Sequence, residues 1–147
     1  MTLKESLIEN NSILVQQEAS DWKTAIKIAI NPLIASGAVE ERYYDEIVKN
    51  TEELGPYYIL SPGIAMPHAR PEGGVNRNCF GLTVLKEPIK FGKEEHEYAQ
   101  ILITLAATSS DIHAEEAIPQ IVMLFDDEAN FDKLVNATTV EEVLEIL

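Results

Sequence analysis

A chain of 147 residues, 46% hydrophobic and 24% charged, has the size of one domain able to bury a core without disulfide or metal staples, and its composition excludes intrinsic disorder. Eleven basic against 25 acidic residues give a formal charge of −14, which repels nucleic acid and anionic membranes and favours basic protein partners. The single cysteine, Cys79, excludes an intrachain disulfide, and the opening Met1-Thr2-Leu3-Lys4-Glu5-Ser6 carries no secretory pattern, so a soluble, cytoplasmic chain is expected.

No repeat or Pro/Gly/Ser-rich linker divides the sequence, and no apolar run approaches the roughly 20 residues that span a bilayer. The elements therefore belong to one domain over residues 1–147. Leu3, Leu7 and Ile8 predict a short helix, and Ser12 to Val15 a strand. Ser20-Asp21 predicts the cap of a helix whose apolar residues, Trp22, Ala25, Ile26, Ala29, Leu33 and Ile34 among them, recur at three- and four-residue steps. Pro32 is expected to kink or divide that helix. Gly37 stops it, and a second helix leads from Val39 through Ile47 to Leu54, ended by Gly55-Pro56.

Beyond that point the periodicity changes. Tyr57 to Leu60 and Ile64 to Met66 read as short strands around a Ser61-Pro62-Gly63 turn, and Cys79 to Leu85 and Ile101 to Ala107 as longer ones. The last of these is nearly all apolar, which predicts a central position in the sheet. Asp111 is expected to cap a helix through Phe125 that contains Pro119, followed by Phe131 to Val135 and a closing helix from Thr138-Thr139 through Leu144. The order helices, strands, helices predicts an α/β fold with a mixed β-sheet sandwiched between helices.

The candidate chemistry lies in Gly63-Ile64-Ala65-Met66-Pro67-His68-Ala69-Arg70-Pro71. His68 stands between two prolines at the end of a short apolar strand, which holds its imidazole on a stiff backbone. An imidazole is nucleophilic near neutral pH, and phosphoryl transfer to it needs mainly positioning and positive charge for the equatorial oxygens. Residues 64–90 are locally basic, with Arg70, Arg77, Lys86 and Lys90 against Glu72 and Glu87, whereas 111–147 hold ten acidic residues and one basic, Lys133. Spacing alone leaves a reactive and an inert loop histidine both open.

A wider pattern narrows the choice. Glu53, Leu60, Ile64, Ala65, Met66, Pro67, His68 and Ala69 fit the signature of mannitol/fructose-type enzyme IIA (EIIA) components of the phosphotransferase system (PTS), with Ser61 departing where glycine or alanine is usual. The chain resembles that family over nearly its whole length. Arg42-Tyr43-Tyr44, Gly55-Pro56-Tyr57-Tyr58, Ala65 to Glu72 and Ile101 to Ala107 look most like its ascorbate type.

The resemblance implies the mannitol/fructose-type EIIA fold and a two-step relay without a cofactor. His68 would accept a phosphoryl group at Nε2 from the histidine of HPr and pass it to a cysteine of the cognate EIIB. That relay would feed a membrane EIIC that takes up L-ascorbate. It assigns His113 to stabilising the phosphoryl group. The arginine that mannitol-type relatives carry upstream is missing from Asn50-Thr51-Glu52, which leaves Arg70 as the candidate substitute.

The other candidates read as structural. His68, His96 and His113 lack metal-ligand spacing, so no metal is expected. Arg42 is read as a surface ion-pair partner, His96 as a solvated loop residue and Cys79 as a buried strand thiol. A second function fits the same pattern, a regulatory module whose His68 phosphorylation controls a partner protein. Neither the transported sugar nor the oligomeric state is fixed by the sequence, and a homodimer stays open.

Overall fold

The computed structural model describes all residues from Met1 to Leu147. Its chain runs α1 (Leu3–Glu9), β1 (Ile13–Gln17), α2 (Trp22–Ala35), α3 (Arg42–Leu54), β2 (Ile59–Ser61) and β3 (Gly63–Ala65). A 3₁₀ turn (Pro71–Gly73), β4 (Cys79–Lys90) and β5 (Tyr98–Ala106) follow, then a π-helical turn (Ile112–Ala117), α4 (Ile118–Asp126), α5 (Ala129–Asn136) and α6 (Val140–Ile146).

The five strands form one sheet in the order β1-β4-β5-β3-β2. β1 pairs parallel to β4 and β3 parallel to β5, whereas β4/β5 and β2/β3 are antiparallel. The sheet is therefore mixed, with the apolar β5 at its centre as the sequence predicts. Alternation along β4 and β5 divides the core between two faces. Phe80, Leu82, Val84, Ile101, Ile103 and Leu105 pack under α1, α4, α5 and α6. Cys79, Leu85, Leu102 and Ala106 pack under α2 and α3 with Ile26, Ile30, Leu33, Tyr43 and Ile47. Helices thus cover both faces, and each fully buried aliphatic side chain contributes about 1.5–3 kcal/mol.

Local chemistry sets the boundaries. Asp21 caps α2 through Oδ1, which accepts from the Thr24 N–H at 2.8 Å. Gly37 and Gly55 leave α2 and α3 at φ +79° and +81°, the left-handed region that glycine enters without cost. Thr139 caps α6 through the Glu142 N–H.

Four expectations need correction. Pro32 does not divide α2, which is continuous from Trp22 to Ala35. It sits one turn from the helix end, and Ile28, whose carbonyl it leaves without a donor, lines the same open groove where water can serve. Helix α3 begins at Arg42 because Val39 bridges to Val75 instead. Strand β4 continues past Leu85 to Lys90: pairing with β5 is interrupted between Val84 and Ile89, around Pro88, and then resumes.

The fourth correction concerns Asp111, which is already helical at φ −65° and makes no capping bond. The Ile112 N–H instead donates to Ser109 Oγ at 3.2 Å. Pro119 is accommodated by the π turn before it, in which the Ile118 N–H reaches back to the His113 carbonyl.

Candidate functional site

The segment after β3 is tied down group by group. The Met66 N–H donates to the Tyr58 carbonyl at 2.9 Å, and the Leu105 N–H to the Pro67 carbonyl at 3.0 Å. The Ala69 N–H donates to the Tyr43 hydroxyl at 2.9 Å, which in turn donates to the Leu105 carbonyl at 2.8 Å. The Tyr57 hydroxyl donates to the His68 carbonyl. The backbone carrying His68 is thereby fixed to β5 and α3 and to the Tyr57-Tyr58 pair that precedes β2.

His68 Nδ1 lies 2.7 Å from the Met66 carbonyl. A carbonyl only accepts, so Nδ1 carries the proton and Nε2 keeps its lone pair in the neutral ring. Burial is the main force holding the His68 pKa below the ordinary histidine value, opposed by the bond to Met66 and assisted by repulsion from His113. The imidazole is therefore neutral at physiological pH, the form in which a nitrogen can act as nucleophile.

The His113 ring stands with its centroid 4.6 Å from that of His68, tilted by 48°. The π turn places it there, near the start of the helix that Ser109 caps. Burial depresses its pKa as well. Both rings line a cleft of about 300 Å³ with Arg70, Asn50, Leu54, Tyr57, Ser109 and Ser110 also on its walls. Arg70 is exposed, in extended backbone before the 3₁₀ turn, and its guanidinium joins no salt bridge.

The structure thus brings His68, His113 and Arg70 to one cleft, the three candidates of the sequence. Asn50, from the stretch that lacks the upstream arginine, lies on the cleft wall, so a neutral carboxamide stands there. The remaining readings are observed as expected. Arg42 pairs with Glu40 at 3.2 Å on the surface, His96 is exposed in the β4–β5 loop, and Cys79 is buried within β4. Sequence reasoning missed Tyr43 and Tyr57. The one signal available was their place in Arg42-Tyr43-Tyr44 and Gly55-Pro56-Tyr57-Tyr58, which carries no chemistry until the strands are assembled.

A free imidazole nitrogen, a second imidazole and an unpaired guanidinium around one cleft suit reversible acceptance of an anionic group. No helix is long and apolar enough to cross a membrane.

The chain is similar to known proteins over nearly its full length. The "Ascorbate-specific PTS system EIIA component" of Salmonella typhimurium is 48% identical over 147 residues, covering 100% of this chain and 96% of that relative. The solution structure of the mannitol-specific cryptic phosphotransferase enzyme IIA CmtB from Escherichia coli superimposes with a TM-score of 0.86 at 33% identity, covering 99% of this chain and 97% of that one. The complex of enzyme IIA and phosphorylated enzyme IIB for mannitol, also from Escherichia coli, matches with a TM-score of 0.79 at 30% identity over 94% of this chain and 93% of that one. The fold is accordingly the mannitol-type EIIA fold that the sequence pattern implied. The family model for the phosphoenolpyruvate-dependent sugar phosphotransferase system, EIIA 2, matches residues 6–147, and the chain belongs to that family as a phosphotransferase component of the relay.

Proposed function

We propose that residues 1–147 act as one cytoplasmic EIIA unit in which His68 is the phosphoryl acceptor. In the first step Nε2 attacks the phosphorus of phosphohistidine on HPr. The N–P bond on HPr breaks as the one on His68 forms. In the second, a cysteine thiolate of the cognate EIIB attacks the same phosphorus and His68 leaves with its lone pair restored. No cofactor enters either step. Through EIIB the group passes to a sugar entering by the membrane EIIC, and L-ascorbate is the substrate that the names of the curated relatives support.

The observation that carries this reading is the bond from His68 Nδ1 to the Met66 carbonyl. It leaves Nε2 as the single free nitrogen of a ring that lines the cleft. His113 and Arg70 are assigned the incoming negative charge: His113 takes a proton from solvent as the phosphoryl group arrives, and the Arg70 guanidinium is free to pair with an equatorial oxygen. The mannitol IIA–IIB complex supports an EIIB as the receiving partner.

A two-stage labelling experiment tests the proposal. Phosphoenolpyruvate, enzyme I and HPr are supplied first, and the cognate EIIB is added to the labelled protein. A carrier loses its label to the EIIB cysteine. A protein that takes the label and keeps it is a regulatory module, which sinks the carrier assignment.

A further inference from the structure

We infer that Tyr57 is a positioning residue for the reacting imidazole, acting through the main chain of His68; the inference rests on the phosphoacceptor role proposed for that histidine. Tyr57 and Tyr58 are neighbours in sequence with opposite fates. Tyr58 is 1% exposed, shares a hydrogen bond with Thr51 in the core, and stacks edge-on against Phe91. Tyr57 is 39% exposed, lines the cleft, and turns its hydroxyl inward to the His68 carbonyl. A tyrosine at the surface ordinarily gives its hydroxyl to water, so this bond is a specific use of the side chain.

Two further contacts fix the ring itself. It meets the His68 imidazole edge-on, with centroids 5.4 Å apart and planes at 82°, and it meets Tyr58 edge-on at 4.9 Å. Tyr58 is in turn bonded through its carbonyl to the Met66 N–H, and the Met66 carbonyl holds His68 Nδ1. The Tyr57-Tyr58 pair therefore grips the His68 segment at three points, namely Met66 N–H, the His68 carbonyl and the imidazole ring.

The prolines do not supply this constraint. Pro67 fixes its own φ and Pro71 restricts Arg70, but neither sets the rotation of the peptide between His68 and Ala69. The Tyr57 hydroxyl on one side and the Tyr43 hydroxyl on the other hold that peptide. His113 also lies against that imidazole, with ring centroids 4.6 Å apart. Contacts with Tyr57 and His113 together limit the swing of the ring, so Nε2 keeps one direction through both transfers.

The test is Tyr57→Phe, which keeps the ring and removes the hydroxyl. Wild-type protein must first take a phosphoryl group on His68; if it does not, the phosphoacceptor reading fails and not this one. Given a working wild type, Tyr57→Phe should lower kcat for transfer from phospho-HPr by about three- to tenfold, with KM unchanged within about twofold. In the unphosphorylated variant, imidazole nitrogen chemical shifts should show a smaller share of the Nδ1–H tautomer than in wild type, a readout that a purely stabilising tyrosine would leave in place. Wild-type kcat together with a wild-type tautomer ratio in a folded Tyr57→Phe protein would overturn the inference.

Discussion

Replacing His113 by glutamine removes a group that can become positive and keeps one of similar size. Its ring centroid is 4.6 Å from that of His68. Taking that separation as the order of the distance from His113 to a phosphoryl group on His68, one pair of unit charges interacts by about 3.6 kcal/mol at an effective dielectric of about 20, and by about 0.9 kcal/mol in water. His113 is half-buried and faces an open cleft, so the interaction lies in the lower half of that interval, about 1–2 kcal/mol. If it is made with the transferring phosphoryl group, its loss slows transfer by about 5- to 30-fold. Rapid-quench measurement of phosphoryl passage from phospho-HPr to His113→Gln checks the number, with thermal unfolding as a control for folding. A variant that transfers at the wild-type rate would refute the assignment of charge to this ring. Arg70→Gln, measured beside it, should also slow transfer, because no carboxylate competes for that guanidinium.

Three other outcomes are expected. Tyr43→Phe strips the partner from the buried Leu105 carbonyl and from the Ala69 N–H, and should lower stability by about 1–3 kcal/mol in chemical denaturation. The folded state holds His68 below its ordinary value of 6.5, so its contribution to stability is complete above that pH and is lost as the pH falls through the lower folded value. His68→Gln should therefore flatten the acid side of a stability-versus-pH curve, and an unchanged slope would count against a buried neutral imidazole. Burial pushes the Cys79 thiol up to about 12, so mass spectrometry should find it unalkylated by iodoacetamide in the native protein at mildly alkaline pH and modified after unfolding.

The parts of the fold that depend on periodicity were legible before the structure. The apolar run from Ile101 to Ala107 announced a central strand, and the spacing in Trp22 to Ile34 announced a helix with one buried face. What escaped were features that hydrophobic periodicity does not carry. Pro32 is tolerated because of where α2 ends, and the cap at Ser109 depends on a π turn that no local pattern signals. Strand β4 extends beyond Leu85 because β5 is there to pair with Ile89 and Lys90.

The site divides in the same way. His68 stood out as a candidate because its segment carries a family pattern, His113 because that pattern implies it, and Arg70 because it follows His68 by two residues where the pattern's upstream arginine is missing. The hydroxyls of Tyr43 and Tyr57 did not, since their partners are main-chain groups 26 and 62 residues away for Tyr43 and 11 for Tyr57. A sequence points to a candidate reactive side chain more readily than to the groups that hold it still.

The central claim is that Nε2 of His68 carries the phosphoryl group, and NMR of the protein labelled with nitrogen-15 in its histidines tests it most directly. After incubation with phosphoenolpyruvate, enzyme I and HPr, one phosphoryl group should appear, with phosphorus coupling at Nε2 of His68 and none in His68→Gln. A phosphoryl group on Nδ1, on another residue, or surviving in His68→Gln would contradict the account.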